Sequence, residues 1–183
     1  MTIMNLETRA NGLVQSFDVV GVFKKECFPY KHAVAYDLCT GYLLKLSGML
    51  GVDEKGELAK DPNDFMAVAI AGRNDLYSQT VTALENIEKV IHAAIEHYFS
   101  SLFVPEGGLK YVVSTRVDVK FVVVDPTRFK SINDAYHSKG LSHASRTMVG
   151  VALLPLGAEV EITAEAFISK SKESYKPPGQ MRI

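Results

Sequence analysis

The chain has 183 residues and a formal net charge of −1, with 47% hydrophobic and 22% charged residues. This length and mixture are typical of one globular domain with enough apolar residues for a core. A net charge so close to zero argues against a general attraction to nucleic acid or to an anionic membrane. An anionic ligand would therefore need a local cationic anchor.

No apolar stretch approaches the length of a membrane-spanning helix, and residues 1–11 lack the apolar core of a signal peptide. We therefore expect a cytoplasmic location and no membrane partner. The two cysteines, Cys27 and Cys39, form neither a disulfide framework nor a metal-ligand pattern. Both are predicted to be free thiols in a reducing compartment, with Cys39 as a small buried residue.

The first predicted elements are strands. Residues 13–23 indicate one strand or two short ones, and residues 31–38 and 42–48 indicate two strands around a turn at Thr40-Gly41. From Met49 to Asn74 the alternation is lost among turn clusters. This segment is therefore predicted to be a long connection.

A long amphipathic helix is predicted from about Asp75 to Ser100, because apolar residues recur there at three- and four-residue spacings. The stripe consists of Leu76, Thr80, Leu84, Ile87, Ile91, Ala94 and Tyr98. After a loop, residues 111–124 alternate between apolar and polar side chains. That period of two predicts a long, half-buried strand.

The last predicted elements are a helix and two strands. The helix extends from Pro126 or Thr127 to Ser138, and the strands cover residues 145–153 and 158–168. The tail from Ser169 onward has few apolar residues and is expected to lie loose on the surface.

This order of strands, helix, strand, helix and strands predicts a single α+β domain, with two helices packed on one face of a mixed sheet. The opposite sheet face carries mixed polar residues, so it must face water or meet another subunit. No internal repeat and no second domain are indicated. Residues 1–168 are predicted to form the domain and residues 169–183 the tail.

Several short motifs occur in a fixed order and together carry a family resemblance. They are Pro29-Tyr30, Ala33-Val34, Ser47-Gly48, Gln79–Ile87, Phe129–Tyr136, Ser145–Val149 and Leu154–Ile162. In this order they resemble the RidA/YjgF family of reactive intermediate deaminases, most specifically over residues 144–166. The resemblance runs from about Pro29 to Ile168, which makes residues 1–28 an N-terminal extension.

The resemblance implies a chorismate-mutase-like fold and a homotrimer, in which the sheets form a central barrel and the sites lie in clefts between subunits. It also implies hydrolysis of small 2-imino or enamine acids to 2-keto acids and ammonia, without a metal or an organic cofactor. By position, Arg146 matches the family's arginine for the substrate carboxylate, and Glu161 matches its glutamate for the catalytic water. Tyr30, Ser47 and Asn133 match residues that line the cleft.

Two further residues of the implied site follow Arg146 directly. Thr147 and Met148 are expected to contact the substrate, and Met148 stands where many deaminating members of the family have cysteine. The chain is also longer than the family pattern in several loops and at both ends. These insertions are expected to affect the identity of the substrate more than the type of reaction.

The residue types suit the implied reaction. An arginine binds a carboxylate through two parallel charge-assisted hydrogen bonds, and a glutamate orients and deprotonates a water molecule. Holding the reactants in place supplies most of the effect. Arg146 and Glu161 are 15 residues apart, a spacing that fits two antiparallel strands joined by a short turn. Both side chains are therefore expected to reach one cleft.

Each residue also has a purely structural interpretation, such as an ion pair for Arg146 or a solvated strand position for Glu161. At the level of function, a protein that binds small carboxylates without turnover is the alternative to a deaminase. A ribonuclease is disfavoured, because the net charge is −1 and the sequence has neither a histidine pair with nuclease spacing nor a basic stripe with aromatic residues.

Overall fold

The computed structural model describes seven parts of the chain: residues 2–9, 12–23, 30–60, 76–98, 117–123, 128–139 and 145–169. Within these parts, eight strands form one sheet. The strands are β1 (Ile3–Arg9), β2 (Val14–Val19), β3 (Ala33–Leu38), β4 (Gly41–Leu46), β5 (Met49–Leu50), β6 (Val117–Val123), β7 (Ser145–Gly150) and β8 (Val160–Ser169).

The strand order is β1-β2-β3-β4-β8-β6-β7, and the short β5 pairs separately with β8. The pairs are antiparallel except for β6 with β7, which is parallel. The predicted mixed sheet is therefore confirmed. A short 3₁₀ turn (Pro155–Gly157) lies between β7 and β8, where the sequence predicts the connection.

Two helices complete the fold, α1 (Leu76–Tyr98) and α2 (Phe129–Ser138). Helix α1 packs on β8, and α2 packs beside α1, so that Ile132 and Tyr136 of α2 belong to the same hydrophobic core. The predicted stripe on α1 is buried from Leu76 to Ala94. The α+β architecture is thus confirmed. Neither helix in the described parts is long and apolar enough to cross a membrane.

The side chains of strand β8 show that the two faces of the sheet differ chemically. Its residues Val160, Ile162, Ala164, Ala166 and Ile168 are buried in the core under the helices. Successive side chains of a strand point to opposite faces, so Glu161 and Glu165 lie on the face away from that core. Glu161 is half-buried and Glu165 is exposed.

Strand β1 is an element that the sequence analysis does not predict. It is an edge strand with six of its seven residues exposed, so no alternation of burial marks it in the sequence. Its partner β2 is part of the core, because Phe17 and Val19 are fully buried. The N-terminal extension therefore contributes two strands and core side chains to the domain.

The prediction that Cys39 is buried is wrong. Leu38 is the register partner of Gly41, which leaves Cys39 and Thr40 at the tip of the β3–β4 hairpin, and the free thiol of Cys39 is exposed. A cysteine at a hairpin tip cannot reach the core, whatever its apolar character. Several predicted features lie outside the described residues. They are Cys27, residues 61–74 of the long connection, residues 111–116 of the predicted strand and the tail beyond Ser169.

Candidate functional site

The first group of candidate residues surrounds Arg146 on β7, an edge strand whose six residues are all exposed. The Arg146 guanidinium carbon lies 5.2 Å from the centre of the Tyr136 ring, and its Nη1 donates a hydrogen bond to Asn133 Oδ1. The ring face and the amide oxygen orient the guanidinium plane. An arginine side chain has five N–H donors, and the hydrogen bond to Asn133 uses one donor of Arg146.

Tyr136 is a member of this group that the sequence analysis names only as the last residue of the Phe129–Tyr136 motif. It follows Asn133 by three residues, and residues three apart share one face of a helix. This spacing is the signal that links Tyr136 to the predicted site. Burial raises the pKa of the Tyr136 hydroxyl, and the nearby Arg146 partly offsets that effect.

The second group surrounds Glu161 on β8. Its carboxylate lies against Gly48, where a Cβ atom would collide with the Glu161 side chain. A larger residue at position 48 would displace the end of the Glu161 side chain from this place. Burial raises the pKa of the Glu161 carboxyl above its usual value, because the charged form loses hydration.

Ser47 joins this second group through the backbone. Its hydroxyl donates to the carbonyl oxygen of Lys31 at 2.5 Å, and its amide donates to that of His32 at 3.0 Å. Tyr30, immediately before this segment, is partly exposed and lines a small cavity of about 20 Å³, room for about one water molecule. The cavity is lined by Phe23, Tyr30, His32, Gly48, Met49, Leu50, Val52 and Asn86.

A buried pair, Asp18 and His32, fixes the segment that holds Ser47. The two side chains are 1% and 2% exposed. Asp18 Oδ1 accepts a hydrogen bond from the His32 amide at 3.1 Å, and His32 Nδ1 accepts one from the Val19 amide at 2.9 Å. The Nδ1 atom is therefore unprotonated, and Nε2 is left to donate to the Phe23 carbonyl at 3.3 Å. Strand β2 of the N-terminal extension thus anchors this part of the site.

The two groups lie on opposite faces of the sheet. Val119 of β6 is the register partner of both Arg146 and Ala164, so Arg146 lies on the face of Ala164, and Glu161 lies on the other. The expectation that Arg146 and Glu161 share one cleft through neighbouring strands is wrong for a single chain. Its physical reason is the pairing through β6, which lies between β7 and β8 and whose register sets Arg146 and Glu161 on opposite faces.

The remaining candidates divide between the same two faces. Thr147 and Thr163 share the register partner Lys120, which places Thr147 on the Glu161 face. Met148 shares the face of Arg146 and is 40% exposed. In one chain the structure therefore brings together Arg146, Asn133 and Tyr136, and separately Glu161 and Gly48, with Ser47 next to Gly48 in the chain. Within the described parts, no cluster of three or more His, Cys, Asp or Glu residues is arranged to hold a metal ion.

Comparison with known proteins finds one matching family and several solved structures with the same fold. Residues 25–168 match the protein family described as Endoribonuclease L-PSP. The match begins after β2, so β1 and β2 lie outside it. No curated protein matches the chain.

Three solved structures share the fold. Yeast YEO7 is 20% identical, with a TM-score of 0.58, and the match covers 84% of this chain and 98% of that one. RidA from the Antarctic bacterium Psychrobacter is 24% identical, with a TM-score of 0.53 and coverage of 80% and 94%. Escherichia coli TdcF with bound serine is 20% identical, with a TM-score of 0.53 and coverage of 81% and 98%.

Proposed function

The chain belongs to the endoribonuclease L-PSP family, which includes the RidA/YjgF proteins, and on that premise we propose that it hydrolyses small 2-imino acids to 2-keto acids and ammonia. The reaction takes place in the cytoplasm, at sites formed between the subunits of a homotrimer. Arg146 binds the substrate carboxylate, and Glu161 activates the water.

In this proposal the substrate carboxylate forms two parallel hydrogen bonds with the Arg146 guanidinium, which fixes the imine carbon. Glu161 accepts a proton from water as the water oxygen adds to that carbon. Glu161 returns that proton to the nitrogen, which gives a carbon that carries one hydroxyl and one amino group. Glu161 then accepts the hydroxyl proton and passes it to the amino nitrogen, so that the carbon–nitrogen bond breaks and ammonia leaves as the carbonyl forms. Every step is an addition, a proton transfer or the elimination of ammonia, and these two side chains support each of them.

The observation that carries the proposal is the environment of Glu161. Burial raises the pKa of its carboxyl, which makes the carboxylate a better proton acceptor than a solvated one, and Gly48 lets that carboxylate lie close to the backbone. A solvated surface glutamate has neither property. The paired arrangement of Arg146 over Tyr136 supports carboxylate binding by a pre-oriented guanidinium.

The separation of the two groups supports a site shared between subunits. Arg146 and Glu161 lie on opposite faces of one sheet, so a reaction that uses both requires Arg146 from one chain and Glu161 from another. The edge strand β7, whose six residues are all in contact with solvent, offers a surface for that second chain. TdcF, which shares the fold, has been solved with serine bound, and serine carries a carboxylate beside an amine-bearing carbon.

The proposal is tested by generating 2-imino acids in situ with an amino acid oxidase and following their disappearance. We expect the purified protein to accelerate the loss of 2-iminopropanoate or 2-iminobutanoate above the spontaneous rate. If no imino acid in a panel of small and aromatic compounds is hydrolysed faster, the deaminase proposal fails. The alternative is then a protein that binds small carboxylates without turnover, and the exposed Met148, which replaces the cysteine of many deaminating relatives, favours it.

A further inference from the structure

The Gln79–Ile87 motif on α1 has no part in either group of candidate residues, yet it places two polar side chains on the buried face of the helix. Gln79 and Asn86 are 0% and 4% exposed. They are seven residues apart, so two helical turns bring them to the same face. Burying an amide is unfavourable unless it is hydrogen-bonded, and an apolar side chain of similar size would fill the core without that cost. The role of the two amides must therefore lie in what they bind outside the helix.

Asn86 binds the short strand that pairs with Glu161. Its Nδ2 donates to the Val52 carbonyl at 3.0 Å and to the Leu50 carbonyl at 3.4 Å. Leu50 is the register partner of Glu161 in the pair of β5 with β8. Because β5 has only two residues, its pairing with β8 holds it at few points. The hydrogen bonds from α1 therefore give this strand a second attachment.

The chain after β5 lies directly on the same helix. A Cβ atom at Gly51 would collide with the backbone of Gln79. Asn86 also lines the small cavity beside Gly48, the residue that lies against the Glu161 carboxylate. Helix α1 therefore holds the backbone on which the Glu161 side chain rests.

Gln79 binds the chain on the other side of Glu161. Its Oε1 accepts a hydrogen bond from the Glu159 amide at 2.9 Å, two residues before Glu161. The Glu159 carboxylate pairs with Arg128 at 2.7 Å, so both the backbone and the side chain of Glu159 are held. Helix α1 thus fixes the strand beside Glu161 and also the entry to the strand that carries it.

We propose that Gln79 and Asn86 are positioning residues, which hold the Glu161 carboxylate where the hydrolysis needs it. Each acts through the backbone that it binds and not by contact with the substrate. Proton transfer depends on the position of the accepting group, whereas the substrate carboxylate is bound by Arg146, which these contacts do not reach. The part of the two residues in the reaction rests on the proposed function, but their effect on Glu161 does not.

The test is the kinetics of Asn86→Leu and Gln79→Met, which remove the hydrogen-bonding groups and keep side chains of similar size in the core. We expect each variant to lower kcat for 2-iminopropanoate about tenfold and to keep KM within about twofold of the wild type, because positioning is lost and carboxylate binding is not. Thr80→Val is the matched control. Thr80 is fully buried on the same helix, but its hydroxyl donates to the Leu76 carbonyl at 2.6 Å within that helix. This variant should change neither constant.

A second measurement, NMR titration of the Glu161 carboxyl carbon in the ¹³C-labelled full chain, does not require turnover. Burial raises the pKa of this carboxyl. A loosened β5 should admit water, so the measured pKa of Glu161 should move back toward the ordinary value of a glutamate in both variants but not in Thr80→Val. If the wild type hydrolyses no imino acid, the proposed function fails, and this titration then decides whether Gln79 and Asn86 position Glu161.

Two results would overturn the inference. One is a wild-type kcat, or for an inactive protein a wild-type pKa of Glu161, in both Asn86→Leu and Gln79→Met. The other is an equal fall of kcat in Thr80→Val, which would attribute the loss to general destabilisation of α1. If one of the two variants does not fold, the other carries the test, because they bind different segments of the backbone.

Discussion

The Arg146 group and the Glu161 group differ in exposure and in the way each is held. Arg146 lies on an exposed edge strand and is oriented by two side chains of α2, whereas Glu161 is half-buried against the backbone at Gly48. The first arrangement suits binding of an anion from solvent, and the second suits proton transfer at a raised pKa. In the proposed reaction, one chain therefore contributes two half-sites with different tasks.

The largest expected effect comes from removing the anion-binding half. Arg146→Ala should reduce kcat/KM for 2-iminopropanoate by about 100-fold or more, because a bidentate contact to a charged group is lost. Arg146→Lys should restore little, since an ammonium cannot reproduce the planar fork. The matched control is Arg9→Ala, an exposed arginine of β1 that pairs with Glu7, and it should keep full activity. Equal losses in both arginine variants would remove Arg146 from the site.

The proton-transfer half should respond differently. Glu161→Gln should lower kcat about 100-fold while leaving the affinity for a 2-keto acid near the wild-type value, because the amide does not accept the proton. Glu165→Gln is the control, since Glu165 lies on the same face of β8 and pairs with Lys45 at 3.0 Å. A Glu161→Gln variant with unchanged kcat would show that another group activates the water.

The next largest effect is expected from removing His32, which anchors the segment beside Glu161. His32→Ala leaves the Val19 amide and the Phe23 carbonyl without their partner, at a cost of about 1–3 kcal/mol for each group that stays buried. We therefore expect a lower thermal unfolding midpoint and a raised KM. His92→Ala, on the partly exposed side of α1, is the control and should change neither. If KM and the midpoint stay at wild-type values, the Asp18–His32 pair does not hold the cleft.

The smallest expected effect concerns pH. The folded-state pKa of Glu161 lies above its unfolded value, so its protonated form is favoured in the folded chain, and this stabilisation is lost as the pH rises through the raised pKa. At neutral pH the buried charge opposes folding, and Glu161→Gln should raise the unfolding midpoint slightly. Activity should fall as the pH drops through the same raised pKa. A midpoint lowered by Glu161→Gln at neutral pH would contradict this sign.

Much of the fold is predictable from local pattern. The apolar stripe of α1 and the alternation along β8 mark those elements, because each buries one periodic face. Strand β1 leaves no such mark, since an exposed edge strand buries almost nothing. The exposed position of Cys39 depends on the hairpin register, one residue away from the turn that the sequence indicates.

The candidate site is predictable in composition but not in arrangement. The spacing of Asn133 and Tyr136 on one helix is local, so the surroundings of Arg146 are accessible from the sequence. The faces occupied by Arg146 and Glu161 depend on β6, which inserts between their strands. Strand order and register come from long-range pairing, and a shift of one residue reverses the face of every side chain. For that reason the prediction that Arg146 and Glu161 share one cleft within a single chain is wrong.

The central claim is that a complete site takes Arg146 from one chain and Glu161 from another. The most direct test is to co-express the two inactive variants, Arg146→Ala and Glu161→Gln, with different tags, and to assay the purified mixed assembly. In a cyclic trimer that contains both variants, one of the three interfaces, about one third, combines an intact arginine with an intact glutamate. We therefore predict recovery of about one third of the wild-type activity in the mixed assembly, while Arg146→Ala co-expressed with the double variant stays inactive. A mixed assembly with no recovered activity would contradict the account.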